Sequence, residues 1–281
     1  MTGHTEGTEE VVTLSARLTQ VAAAAAREVA GDLRAAFRTH VEIGYKRDAH
    51  DPVTVHDKAA EAKIRTAILD AVPDSTIVGE EGGSHGSGRV RWYVDPIDGT
   101  ANFAHGLAFF CTSIGAVVDG RIVAGAVLDP MTDHLFTADV TGAWLNGKPL
   151  SCGEQTDEAK SLLITGYPNA LEVDTAADDA PLHRLRRMVS AYGTLRRPGS
   201  AALSLSHVAA GWADAAMGTS VNGWDVCAAQ LLVTSAGGHY RAFTRDGSTP
   251  SWDSPCYVAH SAALRPTVLN AVVADLGGGA A

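Results

Sequence analysis

The chain is poor in cysteine and in basic residues, and it has no long apolar run. Its four cysteines, Cys111, Cys152, Cys227 and Cys256, form no C-x-x-C pair. So sparse a set excludes a disulfide scaffold and reads as reduced thiols in a cytoplasmic protein. No stretch of about 18 apolar residues occurs, so no membrane span is expected. The 22 Lys and Arg against 32 Asp and Glu give a formal net charge of −10. That balance argues against a nucleic-acid binder, whose surface is usually basic. It leaves a phosphorylated substrate open, because a bound cation can reverse the local field. The polar, acidic residues 1–10 do not read as a secretory signal. There is no internal repeat and no P-loop; the G-x-S-x-G spacing at Gly82–Gly86 lies in a Gly-rich run that precedes a strand rather than a helix and so is not a nucleophile elbow, and no histidine set has zinc spacing. With 281 residues, 46% hydrophobic and 19% charged, the chain is globular, of about two domains or one large α/β unit.

Hydrophobic periodicity divides it in two. Residues 11–38 read as one long helix, favoured by the alanines at 22–26 and mildly interrupted by Gly31. Residues 53–55 are extended. A second helix follows from about Asp57, with Ala60, Ile64, Ala67, Ile68 and Ala71 at helical spacing and Pro73 as its stop. Short, partly β-branched runs at 76–78, 91–94, 111–118, 122–128, 134–138 and 143–145 then predict strands, with turns at Asp119-Gly120 and Asn146-Gly147. Residues 1–153 are therefore an α+β half with a mainly antiparallel sheet. The polar stretch 154–160 is the boundary. Residues 154–281 alternate: strand 162–165, helices 182–192 and 200–210, strand 213–217, helix 226–235, strands 239–242 and 257–259, helix 265–274. Such alternation predicts a layered α/β half. The tail 277–281 is expected to fray.

The chemistry concentrates at Val94-Asp95-Pro96-Ile97-Asp98-Gly99-Thr100. An apolar strand delivers Asp95 to its carboxyl end, where Pro96 ends it. Asp98 follows three residues later, so two carboxylates and the Ile97 carbonyl can converge. All-oxygen donors suit a hard divalent cation, Mg²⁺ first. Alone, the same residues also describe a solvated Asp-Gly turn. Three further acidic positions join them: Asp57 at a helix start, Glu80-Glu81 at a strand exit, and Trp224-Asp225 opening a late helix. Singly these read as helix caps and surface charge. Gly83-Ser84-His85-Gly86-Ser87-Gly88 reads as a flexible loop, a candidate mobile lid.

The set Asp57, Glu80-Glu81, Asp95-Pro96-Ile97-Asp98-Gly99-Thr100 and Trp224-Asp225, with Gly237-Gly238 eleven residues on, resembles the inositol monophosphatase family of lithium-sensitive, Mg²⁺-dependent phosphomonoesterases. The resemblance spans about residues 11–276. It implies a five-layered α-β-α-β-α sandwich and a homodimer. It also implies two to three Mg²⁺ ions. Glu80, Asp95 and the Ile97 carbonyl would hold the first, and Asp95, Asp98 and Asp225 the second. Glu80 would help with a water-rich third. By the same resemblance Thr100 hydrogen-bonds the attacking water and Asp57 orients Thr100, so Glu80, Thr100 and Asp57 form the water-activating set. Backbone N–H groups of Gly99, Thr100 and Ala101 would face the phosphate, beside Asp98 and Asp225. Gly199, Ser200 and Ala201, in Arg197-Pro198-Gly199-Ser200-Ala201-Ala202, would approach the substrate's hydroxyls.

One position departs. Relatives acting on inositol phosphates usually carry Glu four residues after the Asp matched by Asp214, and here Gly218 stands there. Loss of a hydroxyl-binding carboxylate changes discrimination without touching the hydrolytic residues. The expected function is hydrolysis of an inositol or similar polyol monophosphate. The alternatives are histidinol phosphate, fructose 1,6-bisphosphate or a phosphonucleotide as substrate, or a regulatory binding protein that keeps the fold. No nucleic-acid or membrane partner is expected.

Overall fold

The computed structural model describes residues 3–39, 43–45 and 52–277, so 278–281 of the expected frayed tail lie outside the described residues. Helix α1 (Gly3–Ala36) buries Leu18, Ala22, Ala26, Val29 and Leu33 along one stripe. It starts ahead of residue 11, in a polar segment that has no apolar period to reveal it. Strands β1 (Ile43–Tyr45) and β2 (Pro52–Thr54) pair antiparallel. Helix α2 (Val55–Ala71) begins two residues earlier than its apolar spacing suggests, with Thr54 as N-cap.

The first sheet contains β3 (Ser75–Gly79), β4 (Gly83–Gly86), β5 (Val90–Asp98), β6 (Cys111–Val118), β7 (Arg121–Asp129), β8 (His134–Asp139), β9 (Gly142–Leu145) and β10 (Lys148–Pro149). The short helix α3 (Thr100–His105) lies between β5 and β6. The spatial order is β10-β9-β8-β7-β6-β5-β3-β4, antiparallel except for the β3–β5 pair. Two expectations are corrected here. The Gly-rich run at 83–88 is largely not a loop, since β4 pairs along β3 at the sheet edge. Its glycines permit that approach: a Cβ at Gly86 would lie 2.3 Å from the Ser75 carbonyl oxygen. Nor does Pro96 end its strand. β5 continues to Asp98 across an irregularity between Asp95 and Asp98, where a residue without an N–H donor is tolerated.

Beyond it come β11 (Leu162–Thr165), α4 (Ala170–Asp174), α5 (Ala180–Ala191), β12 (Thr194–Arg196), α6 (Ala201–Ala209), β13 (Ala215–Gly218), α7 (Gly223–Ser235), β14 (His239–Phe243), β15 (Cys256–His260) and α8 (Thr267–Asp275). The second sheet runs β12-β11-β13-β15-β14. Three apolar clusters fix the layering. The first joins α1 and α2 to one face of the first sheet through Leu18, Ile64, Trp92 and Ile114. The second places α6 and α7 between the sheets through Phe136, Leu205, Leu232 and Ala259. The third packs α5 and α8 on the far face of the second sheet through Met188, Val258, Leu269 and Val272. The result is the five-layered α-β-α-β-α sandwich. Among the described residues no helix is long and apolar enough to cross a membrane.

The middle layer positions chemistry. Gly115 on β6 and Gly125 on β7 face each other across the ladder. A Cβ at Gly115 would lie 2.5 Å from Cys227 Sγ, and one at Gly125 2.7 Å from the Ala228 carbonyl oxygen. The glycine pair opens a trough into which α7 settles.

Candidate metal centre and active site

Three elements deliver one cluster of carboxylates. β5 carries Asp95 and Asp98, and the first turn of α7 carries Asp225. One oxygen from each lies within 4.8 Å of the others. Local bonds fix each group. Asp95 Oδ1 accepts the Ile97 N–H at 2.9 Å. Asp98 Oδ2 accepts from Ser200 Oγ and the Ala202 N–H, both at 2.6 Å, so it sits on the amino end of α6. Asp225 closes a capping box, accepting the Asn222 N–H at 2.7 Å.

Burial works against ionisation at all three. The Asp95 carboxyl is held well above the usual range, by burial first and then by the charges of Glu80, Asp98 and Asp225. Burial pushes Asp98 up to about 6 although Ser200 and the α6 amides oppose it. Asp225 is raised by burial and by Asp98. No Lys, Arg or His is among the described residues lining the cavity around them. Crowded, desolvated oxygens with no basic side chain fit a hard divalent cation, whose charge would restore all three to the ionised state.

Behind the cluster stands Thr100. Its Oγ1 lies 3.1 Å from Asp57 Oδ1 and 3.0 Å from the Ile97 carbonyl oxygen. Its one proton points to one of these acceptors, so a lone pair remains for a donor in the cavity. Asp57 is fully buried, and its other oxygen accepts from the Thr54 N–H at 2.7 Å and the Thr54 hydroxyl at 2.6 Å. Its carboxyl is raised by burial against those bonds. Asp57 and Asp225 are thus third residues of their helices, answering caps at Thr54 and Asn222, rather than caps themselves.

The residues expected from sequence converge. Glu80, Asp95, Ile97, Asp98, Gly99, Thr100, Gly199, Ser200, Ala201 and Asp225 line one cavity. Glu80 lies outside the 4.8 Å triad of carboxylate oxygens. Asp57 is reached through Thr100, and Ala101 is exposed on α3 and does not line the cavity. The Ser200 hydroxyl and the Ala201 and Ala202 amides are engaged by Asp98. Gly99 adopts φ +101° to turn from β5 into α3, a conformation that favours glycine.

Sequence reasoning missed Glu61. This side chain, 2% exposed, accepts the Glu81 N–H at 2.7 Å and the Gly82 N–H at 2.8 Å, which fastens the turn carrying Glu80. A Cβ at Gly79 would strike its carboxylate at 2.4 Å. The available signal was its place on the buried stripe of α2 with Asp57, Ala60, Ile64 and Ile68. Asn102 was also missed. Its Nδ2 donates to the Phe109 and Pro198 carbonyls, at 2.7 and 2.6 Å, joining α3 to the segment before α6.

Comparison with known proteins agrees with this geometry. The profile of the inositol monophosphatase family matches residues 15–274. A Pseudomonas aeruginosa protein named Nus factor SuhB is 37% identical over 260 residues, covering 88% of this chain and 95% of that one. Inositol monophosphatase 2 of Solanum lycopersicum is 37% identical, covering 78% and 84%. The crystal structure of the extragenic suppressor protein suhB from Bartonella henselae superposes with a TM-score of 0.79 at 29% identity, covering 95% and 99%.

Proposed function

The chain belongs to the inositol monophosphatase family, and from that premise we propose that it hydrolyses a small-molecule phosphate monoester with Mg²⁺. The observation that carries this reading is the meeting of Asp95 and Asp98, both buried, with the partly buried Asp225 in one oxygen-lined cavity. Glu80, Asp95 and the Ile97 carbonyl would hold one ion, and Asp95, Asp98 and Asp225 another. Bound Mg²⁺ supplies a lowered pKa for water and offsets charge on the attacking and leaving oxygens.

The chain's own residues do the rest. Thr100, its proton committed to Asp57 or Ile97, accepts a hydrogen bond from the attacking water and aims it. Asp57 holds Thr100 in that orientation. The amides of Gly99 and Thr100, at the start of α3 and without partners inside the helix, face the phosphate. Gly199, Ser200 and Ala201 form the wall toward the leaving alcohol. Attack is in-line by water, with no covalent phosphoenzyme. The cavity, ≈ 290 Å³, suits a small ester such as a polyol monophosphate. The chain is proposed to act as a cytoplasmic homodimer, readings that rest on the family resemblance and on its four free, buried thiols.

A second reading, a regulatory binding protein on the same fold, is favoured by the Nus factor name of the Pseudomonas aeruginosa relative. One experiment separates them. Phosphate release is measured with Mg²⁺ across inositol 1-phosphate, histidinol phosphate, fructose 1,6-bisphosphate and a nucleotide. Turnover of at least one ester supports the enzyme, and none at saturating Mg²⁺ leaves the regulatory reading.

A further inference from the structure

Gly218 is the last residue of β13 and pairs with Tyr257 on β15. A Cβ at Gly218 would lie 2.5 Å from Tyr257 Cε1 and 3.1 Å from its Cζ. The phenol ring therefore lies across the glycine and fills the space that a side chain at 218 would need. Tyr240 of β14 stacks on the same ring, with centroids 5.6 Å and planes 13° apart, which fixes its position. Tyr257 is 2% exposed and lines the cavity that holds Asp98 and Asp225. Its hydroxyl makes no hydrogen bond to the described residues. Burial first, and then the charges of Asp98 and Asp225, keep that hydroxyl protonated.

An ionised glutamate at 218 would be acceptor-only, its two oxygens suited to a pair of substrate hydroxyls; a neutral phenol donates one hydrogen bond and has a single, weaker acceptor oxygen. We propose that Tyr257 is the specificity-determining residue, its hydroxyl donating to an acceptor on the leaving alcohol. The preferred substrate is then a monophosphate ester whose alcohol carries a ring nitrogen, carbonyl or ether oxygen. A cyclitol is disfavoured to the extent that its paired hydroxyls lose the two-oxygen acceptor a carboxylate at 218 would give them, a ring nitrogen or carbonyl being the stronger acceptor for a phenol. A second phosphate would find no cationic side chain to pair with among the described residues lining the cavity. The nearby Arg245 is paired with Glu172, and the Arg197 guanidinium donates to the Gly166 and Pro168 carbonyls. This inference rests on the phosphatase reading.

The test compares kcat and KM for adenosine 5′-monophosphate, histidinol phosphate and myo-inositol 1-phosphate in wild type, Tyr257→Phe and Gly218→Glu/Tyr257→Val. In wild type an acceptor-bearing ester is expected to exceed inositol 1-phosphate in kcat/KM. Tyr257→Phe should lower that advantage about fivefold, roughly the worth of one neutral hydrogen bond, and act through KM. Its Tm should not fall, because no intramolecular bond is lost; a purely structural tyrosine would leave Tm unchanged too, but would change the KM of none of the esters selectively. Gly218→Glu alone should lower Tm by overpacking. The added Tyr257→Val should recover it and shift selectivity toward inositol 1-phosphate by tenfold or more. An equal effect of Tyr257→Phe on all three esters, or none, overturns the specificity role while leaving the phosphatase reading standing. No phosphate from any ester overturns both.

Discussion

At Asp95, folding and ligation make opposite demands. A carboxylate almost wholly out of water and facing Glu80, Asp98 and Asp225 is costly to ionise. Asp95→Asn is expected to reduce turnover by at least about a thousandfold, a loss comparable with removal of a dominant electrostatic group. In metal-free buffer its Tm should equal or exceed wild type, since one mutually repelling charge is gone. Phosphate-release assays and thermal unfolding check the two halves, and wild-type turnover at saturating Mg²⁺ would refute the ligand role. Glu61 gives a complementary case. Glu61→Gln keeps one acceptor of two, leaving the Glu81 or Gly82 amide without its charged partner. The Mg²⁺ concentration for half-maximal rate should rise about tenfold, the lower end of the range seen when groups supporting metal ligands are changed. A Mg²⁺ titration reads this.

Among the elements, α7 sets the distance between Asp225 and β5, and the Gly115–Gly125 trough sets α7. Gly125→Ala should cost about 1–3 kcal/mol by overpacking and weaken Mg²⁺ binding through Asp225. Thermal unfolding and calorimetric Mg²⁺ titration test this, and a loss of stability with unchanged Mg²⁺ affinity would uncouple the trough from the site. Elements with clear periodicity were legible from sequence, including α2, β6, β7 and α7. The meeting of the acidic residues was legible in part, because Asp57 and Asp225 open helices and Asp98 ends a strand, although Asp95 stands inside β5. β4 was hidden because its glycines imitate a loop until the β3 backbone is seen 2.3 Å from a would-be Cβ at Gly86. β10 and β12, of two and three residues, are too short for any period. Tyr257, and the use to which the buried Glu61 is put, were hidden for another reason. Their meaning lies in partners far along the chain, Gly82 for one and Gly218 for the other, and local patterns carry no such pairing.

For the whole molecule, charge in the cavity links stability to pH. Asp95, Asp98 and Asp225 have carboxyl groups raised above the usual range in the metal-free fold. An acid raised on folding binds its proton more tightly in the folded state. Its contribution is full below the unfolded value, about pH 4, and is lost as pH climbs through the folded value, about 6 for Asp98. The metal-free protein should therefore melt lower at pH 7.5 than at pH 5. Added Mg²⁺ should raise Tm more at the higher pH, where the carboxylates are free of protons. Equal Mg²⁺ effects at the two values, read by differential scanning fluorimetry, would contradict the linkage.

The central helices have a consequence for dividing the gene. α6 and α7 are encoded after the polar stretch at 154–160, yet they cover the inner face of a sheet encoded before it. A fragment ending at residue 153 would leave Val127, Phe136 and Ala138 open to water and Asp98 without the α6 amides. Such a fragment should precipitate when made alone and turn soluble when its complement is co-expressed.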